Sequence, residues 1–183
     1  MNGQIILVRH AKVCIDNWTI YASDMGKFIE SYNSADIEEE LNTDIPKAEV
    51  YVASQLKRSL VSLELLGVEV TVSDAVFNEA QLPYADKRGI KLPAILWAPI
   101  FRVMWLFGYS NHSESYTKAK ERAEKGADML VNLAKENRSV LLMGHGVMNR
   151  LIIKALKKRG WLVVQKQGSG NGEYSIMKDL NDT

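Results

Sequence analysis

The chain has 183 residues, 46% of them hydrophobic and 25% charged, with 23 Lys+Arg against 22 Asp+Glu. That length suits one domain around one core, and the ordinary apolar content excludes disorder and collagen-like repeats. A formal net charge of +1 gives no global pull toward nucleic acid or an anionic membrane, so a site for an anion must come from local clustering. The lone cysteine, Cys14, excludes an internal disulfide and a cysteine-rich zinc module. The opening MNGQIILVRHAKV has no small-residue cleavage site of a secretory signal, so a cytoplasmic location is expected.

Ile5 to Val8 is a short apolar run, as expected for a strand buried on both faces of a parallel sheet. A helix is expected from about Ser23 to Tyr32, with Met25, Phe28, Ile29 and Tyr32 on one side, followed by a solvated acidic run, Asp36 to Glu40. Val50 to Ala53 reads as a second strand. Ser54 stands where an N-cap would, Leu56, Leu60, Leu63 and Leu66 recur at helical spacing, and Gly67 closes the helix. Val68 to Val72 alternates and predicts a third strand.

The signal from Ser73 to Ser115 is irregular. Within it Leu92 to Gly108 is the longest apolar stretch, broken by Pro99 and Arg102 and short of the roughly 20 residues that span a bilayer. A core element or apolar flap is favoured over a membrane contact, and no stable membrane association is expected. Tyr116 to Asn137 is the clearest helix, with Ala119, Ala123, Ala127, Leu130, Val131 and Ala134 inside. Ser139 to Met143 is a buried strand, and Val147 to Leu156 lines the next helix, whose basic end suits the helix dipole. Leu162 to Val164 and Tyr174 to Met177 form a closing pair around the turn Gly168 to Gly172. The fold class is therefore α/β, a three-layer αβα sandwich with a mostly parallel sheet.

Three strands end in polar or positively charged residues: Arg9-His10, Ser54 with Arg58 one turn into the following helix, and Gly144-His145-Gly146. Open α/β sheets collect ligands beyond the carboxyl ends of their strands. If these strands are parallel neighbours, two arginines and two histidines share one pocket. Planar guanidinium forks suit the oxygens of a phosphate monoester. With no Walker A lysine motif and no paired aspartates for magnesium, the inference is phosphoryl transfer without metal or cofactor, with imidazole as nucleophile.

Leu7-Val8-Arg9-His10-Ala11 resembles the Arg-His-Gly signature of the histidine phosphatase superfamily, which has the phosphoglycerate mutase-like fold. Ser54 to Ser59 is similar to the segment carrying that family's second arginine, Phe77-Asn78-Glu79-Ala80 to its acidic loop, and Gly144-His145-Gly146 to its second histidine motif. The resemblance implies His10 as the nucleophile that becomes phosphohistidine. It implies Arg9, Arg58, His145 and Gly146 at the phosphoryl oxygens, and Glu79 as the residue that protonates the leaving oxygen and then activates water. Ala11 departs from the signature's glycine and fits only at negative φ, and Lys12 stands where many mutases have glutamate. These departures favour a phosphatase for a small phosphate ester or a phosphoprotein. A mutase-type phosphotransferase and a non-catalytic phosphate-binding module are the alternatives. The expected organisation is one domain with a cap-like insertion at about 82–115.

Cys14 lacks the partner arginine of a cysteine phosphatase and reads as a bystander. Gly168 to Gly172 reads as a turn, because no helix follows it. Asn17 and Asn78 read as turn residues, Ser113 to Ser115 as a helix cap and His112 as an exposed loop residue.

Overall fold

Ile5 to Val8 and Val140 to Met143 carry no polar side chain on either face, so both must be covered on both sides, and they are the adjacent central strands of the sheet. The computed structural model describes residues 3–39, 41 and 44–179. Glu40, the end of the acidic run, lies outside them. In chain order the elements are β1 (Gln4–Arg9), β2 (Thr19–Tyr21), α1 (Met25–Ser34), β3 (Val50–Ala53), α2 (Lys57–Leu65), β4 (Val72–Ser73), β5 (Lys91–Pro93), α3 (Ala94–Leu106), α4 (Tyr116–Glu136), β6 (Ser139–Gly144), α5 (Gly146–Lys158), β7 (Trp161–Gln167) and β8 (Tyr174–Asp179).

The main sheet has the order β4-β3-β6-β1-β8-β7. The first four strands are parallel, and β8 runs antiparallel to both β1 and β7. Successive residues of β1 feed opposite faces, as the two-residue period of a strand requires. Ile5 and Leu7 pack with α4 and α5, whereas Ile6 and Val8 lie with Leu63 of α2. Helices thus cover both faces, which is the expected three-layer α/β arrangement.

The small residues Ala119, Ala123, Gly126 and Ala127 let α4 lie close to the sheet. A Cβ at Gly126 would come within 3.2 Å of Phe77. The basic end of α5 is matched by α4 as well as by its own dipole: Lys158 and Arg159 both pair with Glu124. Ser115 caps α4 through the Lys118 N–H.

Two expectations need correction. Ser54 is not an N-cap, because α2 begins at Lys57 after an extended Leu56 and Ser54 faces the sheet rim instead. The third strand is only Val72–Ser73, since Val68 and Val70 pack beneath α2 without joining the ladder.

The irregular region contains two elements. β5 pairs with β2 in a small antiparallel ribbon, and α3 follows directly. Period reading fails for α3 because 12 of its 13 residues are uncharged and nearly all apolar, and Pro99 sits inside it. With α1 it builds a separate apolar cluster around Met25, Trp97 and Phe101.

Candidate active site

Parallel pairing brings the ends of β1, β3 and β6 level: Arg9 lies opposite Gly144, and Ala53 opposite Met143. The residues just beyond those ends therefore meet, and His10 and His145 have ring centroids 5.0 Å apart. Both are buried, as is Arg58.

The His10 Nδ1 lies 2.6 Å from the Ala11 carbonyl oxygen. A carbonyl can only accept, so Nδ1 carries the proton and Nε2 keeps a free lone pair. Burial, with Arg58 and Arg9 adding to it, lowers the pKa of His10 to about 3, so the ring is neutral near pH 7. The same causes, burial first and then Arg58, hold His145 well below its ordinary value.

His145 is oriented by Ser54, whose Oγ lies 2.7 Å from Nε2. Ser54 Oγ also accepts the Leu56 N–H. The other ring nitrogen of His145, Nδ1, is buried and has no hydrogen-bond partner among the described residues. Arg9 Nε and Arg58 Nε are orphaned in the same way. Arg58 is held by a 2.7 Å bond to Asn33 Oδ1 and by stacking over Tyr32, both on α1.

The loop around His10 is braced from distant parts of the chain. The Ala11 N–H donates to Ser62 Oγ, and Asn171 Nδ2 donates to the His10 and Ala11 carbonyls. Among the described residues His112 alone of the non-glycines has positive φ, so Ala11 sits in ordinary backbone and its methyl is accommodated. Lys12 points away and pairs with Glu38. Asn149, in the first turn of α5, donates to the Val8 carbonyl and accepts the His145 N–H. A Cβ at Gly144 would fall 2.1 Å from Asn149 Oδ1, which explains the glycine there. Gly146 opens α5 beside the Arg9 guanidinium.

Glu79 is drawn to the same place by backbone donors, accepting the N–H groups of Ala80, Val147 and Met148. Its loop is clamped from α4, where Arg122 donates to the carbonyls of Val76 (2.9 Å) and Asn78 (2.6 Å) and pairs with Glu114. Arg102 of α3 donates to the Ala80 carbonyl from above the Trp105 ring.

The cleft in front of these groups has a volume of about 950 Å³. Arg9, Arg58 and Glu79 line it together with the apolar Met25, Phe28, Ile29 and Pro99 and with polar side chains such as Asp16, Asn17 and Glu30. Among the described residues no group of three or more His, Cys, Asp or Glu side chains is placed to hold a metal ion.

Of the site residues expected from the sequence, Arg9, Arg58 and Glu79 line this cleft, His10 and His145 lie close enough to feel both arginines, and Gly146 lies beside Arg9. Sequence reading missed Ser54 as the partner of His145, and it missed Ser62, Asn149, Asn171, Arg102 and Arg122. Ser62 and Asn149 had a usable signal, since each stands one helical turn beyond an expected site residue. Asn17 and Asn78 accept backbone N–H groups from Ile95 and Gln55, in keeping with turn roles. His112 stacks on Tyr84 and pairs with Asp86, and Cys14 is exposed and takes no part.

No family model matches the chain, and no curated protein matches it. Solved structures do. A mycobacterial glucosyl-3-phosphoglycerate phosphatase is similar over 97% of this chain and 91% of its own, with 18% identity and a TM-score of 0.59. The alpha-ribazole phosphatase of Shigella flexneri is similar over 94% and 89%, at 13% identity and TM-score 0.57. A Mycobacterium tuberculosis open reading frame product covers 96% and 91%, at 15% and 0.57. With its parallel strand ends, flanking helices and these neighbours, the chain has the phosphoglycerate mutase-like fold expected from its sequence.

Proposed function

We propose that the protein is a metal-independent phosphomonoesterase that works through a phosphohistidine on His10. The observation that carries this reading is the pair of buried, unpartnered donors Arg9 Nε and Arg58 Nε, with the unpartnered His145 Nδ1, gathered around an imidazole whose Nε2 lone pair is free. Buried polar atoms are almost always satisfied, so three orphans in one cluster call for a ligand with several acceptor oxygens. A phosphoryl group supplies them.

In the first step His10 Nε2 attacks phosphorus, the bond to the ester oxygen breaks, and that oxygen takes a proton from Glu79. In the second, water attacks phosphorus, the P–N bond breaks, and Glu79 takes the proton as phosphate leaves. The Ala11 carbonyl balances the positive charge that develops on the His10 ring. Gly146 admits the Arg9 guanidinium close to the first turn of α5. The segment at about 82–115 serves as a cap that shapes the leaving-group side, and a cytoplasmic location belongs to the same reading. Two named neighbours are phosphatases, and the mycobacterial one has a solved complex with VO3.

The test is hydrolysis of p-nitrophenyl phosphate with chelator present, comparing wild type with His10→Ala. Loss of turnover in the variant is expected, with an acid-labile, base-stable phosphoryl label on the wild-type chain alone. Equal rates overturn the assignment. Phosphate release without transfer to an added hydroxyl separates a hydrolase from a mutase.

A further inference from the structure

A helix that is apolar all round is normally buried, yet α3 leaves half its circumference open. Trp97, Phe101 and Trp105 face inward, while Leu96, Ile100, Val103 and Met104 are exposed and Phe107, just past the helix end, is 88% exposed. Ile95 and Pro99 belong to both surfaces, since they are exposed and also line the cleft. The lip of the cleft is therefore continuous with the open apolar face.

The segment that carries this face has charges of one sign. Residues 87–107 contain Lys87, Arg88, Lys91 and Arg102 and no Asp or Glu. The preceding Asp86 is engaged by Asn111 and His112. Thirteen helical residues reach about 20 Å, too short to cross a bilayer but suited to lie in its surface. Among the described residues no helix is long and apolar enough to cross a membrane. An apolar face led by three exposed cations matches an anionic lipid surface, where each cation strengthens association about fivefold. A second copy of this chain would instead meet its own cations.

We propose that α3 docks reversibly on an anionic lipid surface. The docking does not rest on the proposed phosphatase reading.

The docking is tested with the full chain by sedimentation with vesicles of phosphatidylcholine alone and of phosphatidylcholine mixed with phosphatidylglycerol. Binding to the mixed vesicles that salt weakens is expected. Val103→Glu/Phe107→Glu should bind more than about tenfold less, with its melting curve preserved because both positions are exposed. No sedimentation of wild type overturns the docking. So does a solution dimer that the double variant splits, which would assign the face to a second copy. His10→Ala should sediment like wild type, so failure of the chemistry and failure of the docking are read separately.

Discussion

Ser54 Oγ and His145 Nε2 lie 2.7 Å apart although 91 residues separate them in the chain. The bond holds the His145 ring by Nε2 and leaves Nδ1 unpartnered, with Arg58 and Arg9 close enough to act on the ring. Ser54→Ala should lower kcat about 10- to 100-fold, the usual cost of losing the partner that orients a working imidazole. KM should change less than kcat. Steady-state kinetics on p-nitrophenyl phosphate measures both, and an unchanged kcat would remove Ser54 from the mechanism.

The buried histidines make stability depend on pH. An unfolded histidine titrates near 6.5, whereas folded His10 resists protonation down to about 3 and His145 is shifted in the same direction. Between those values the unfolded state binds more protons, so stability is full above about pH 6.5 and falls as the pH drops toward 3. His10 alone accounts for a loss on the order of 4 kcal/mol across that window. Thermal melts of wild type and His10→Asn from pH 7 to pH 4 should show a shallower decline in the variant.

Arg122 touches carbonyls rather than the reacting atoms, so its role is to position the loop that presents Glu79. Lysine keeps the charge but cannot span two carbonyls and the Glu114 carboxylate at once. Arg122→Lys should reduce kcat about tenfold or more and stability by about 1–3 kcal/mol. The loss should fall on kcat with KM changed little. A variant that lost stability alone, with kcat unchanged, would make Arg122 purely structural.

Gly144→Ala places a methyl on Asn149 Oδ1, and both bonds made by Asn149 would have to give way. A cost of about 1–3 kcal/mol is expected, the usual range for overpacking a filled interior. Gly144→Ala/Asn149→Ala should recover part of it, which a double-mutant cycle by urea unfolding measures.

Legibility in the sequence followed the range of the forces involved. The central strands were legible because each is a continuous apolar run, and Arg9, His10 and His145 because they directly follow such runs. The resemblance supplied Glu79. Ser54, Asn149 and Asn171 act through hydrogen bonds to residues remote in the chain or to backbone groups, and a polar side chain does not announce its partner. Val68 to Val72 alternates like a strand, but alternation fixes which faces are apolar and not whether a neighbour is there to pair. In α3 an all-round apolar surface erased the periodicity on which helix reading depends.

The glycine turn between β7 and β8 looks like an ideal place to splice in a tag or a reporter, being exposed, polar and far from the cleft in sequence. It is also where Asn171 holds the carbonyls of His10 and Ala11, and where Gly172 donates to Arg9. A fusion engineered there would unmoor the imidazole it was never meant to disturb, whereas the same insert at Gly67, where an added side chain would meet nothing within 4 Å, would leave the reaction centre alone.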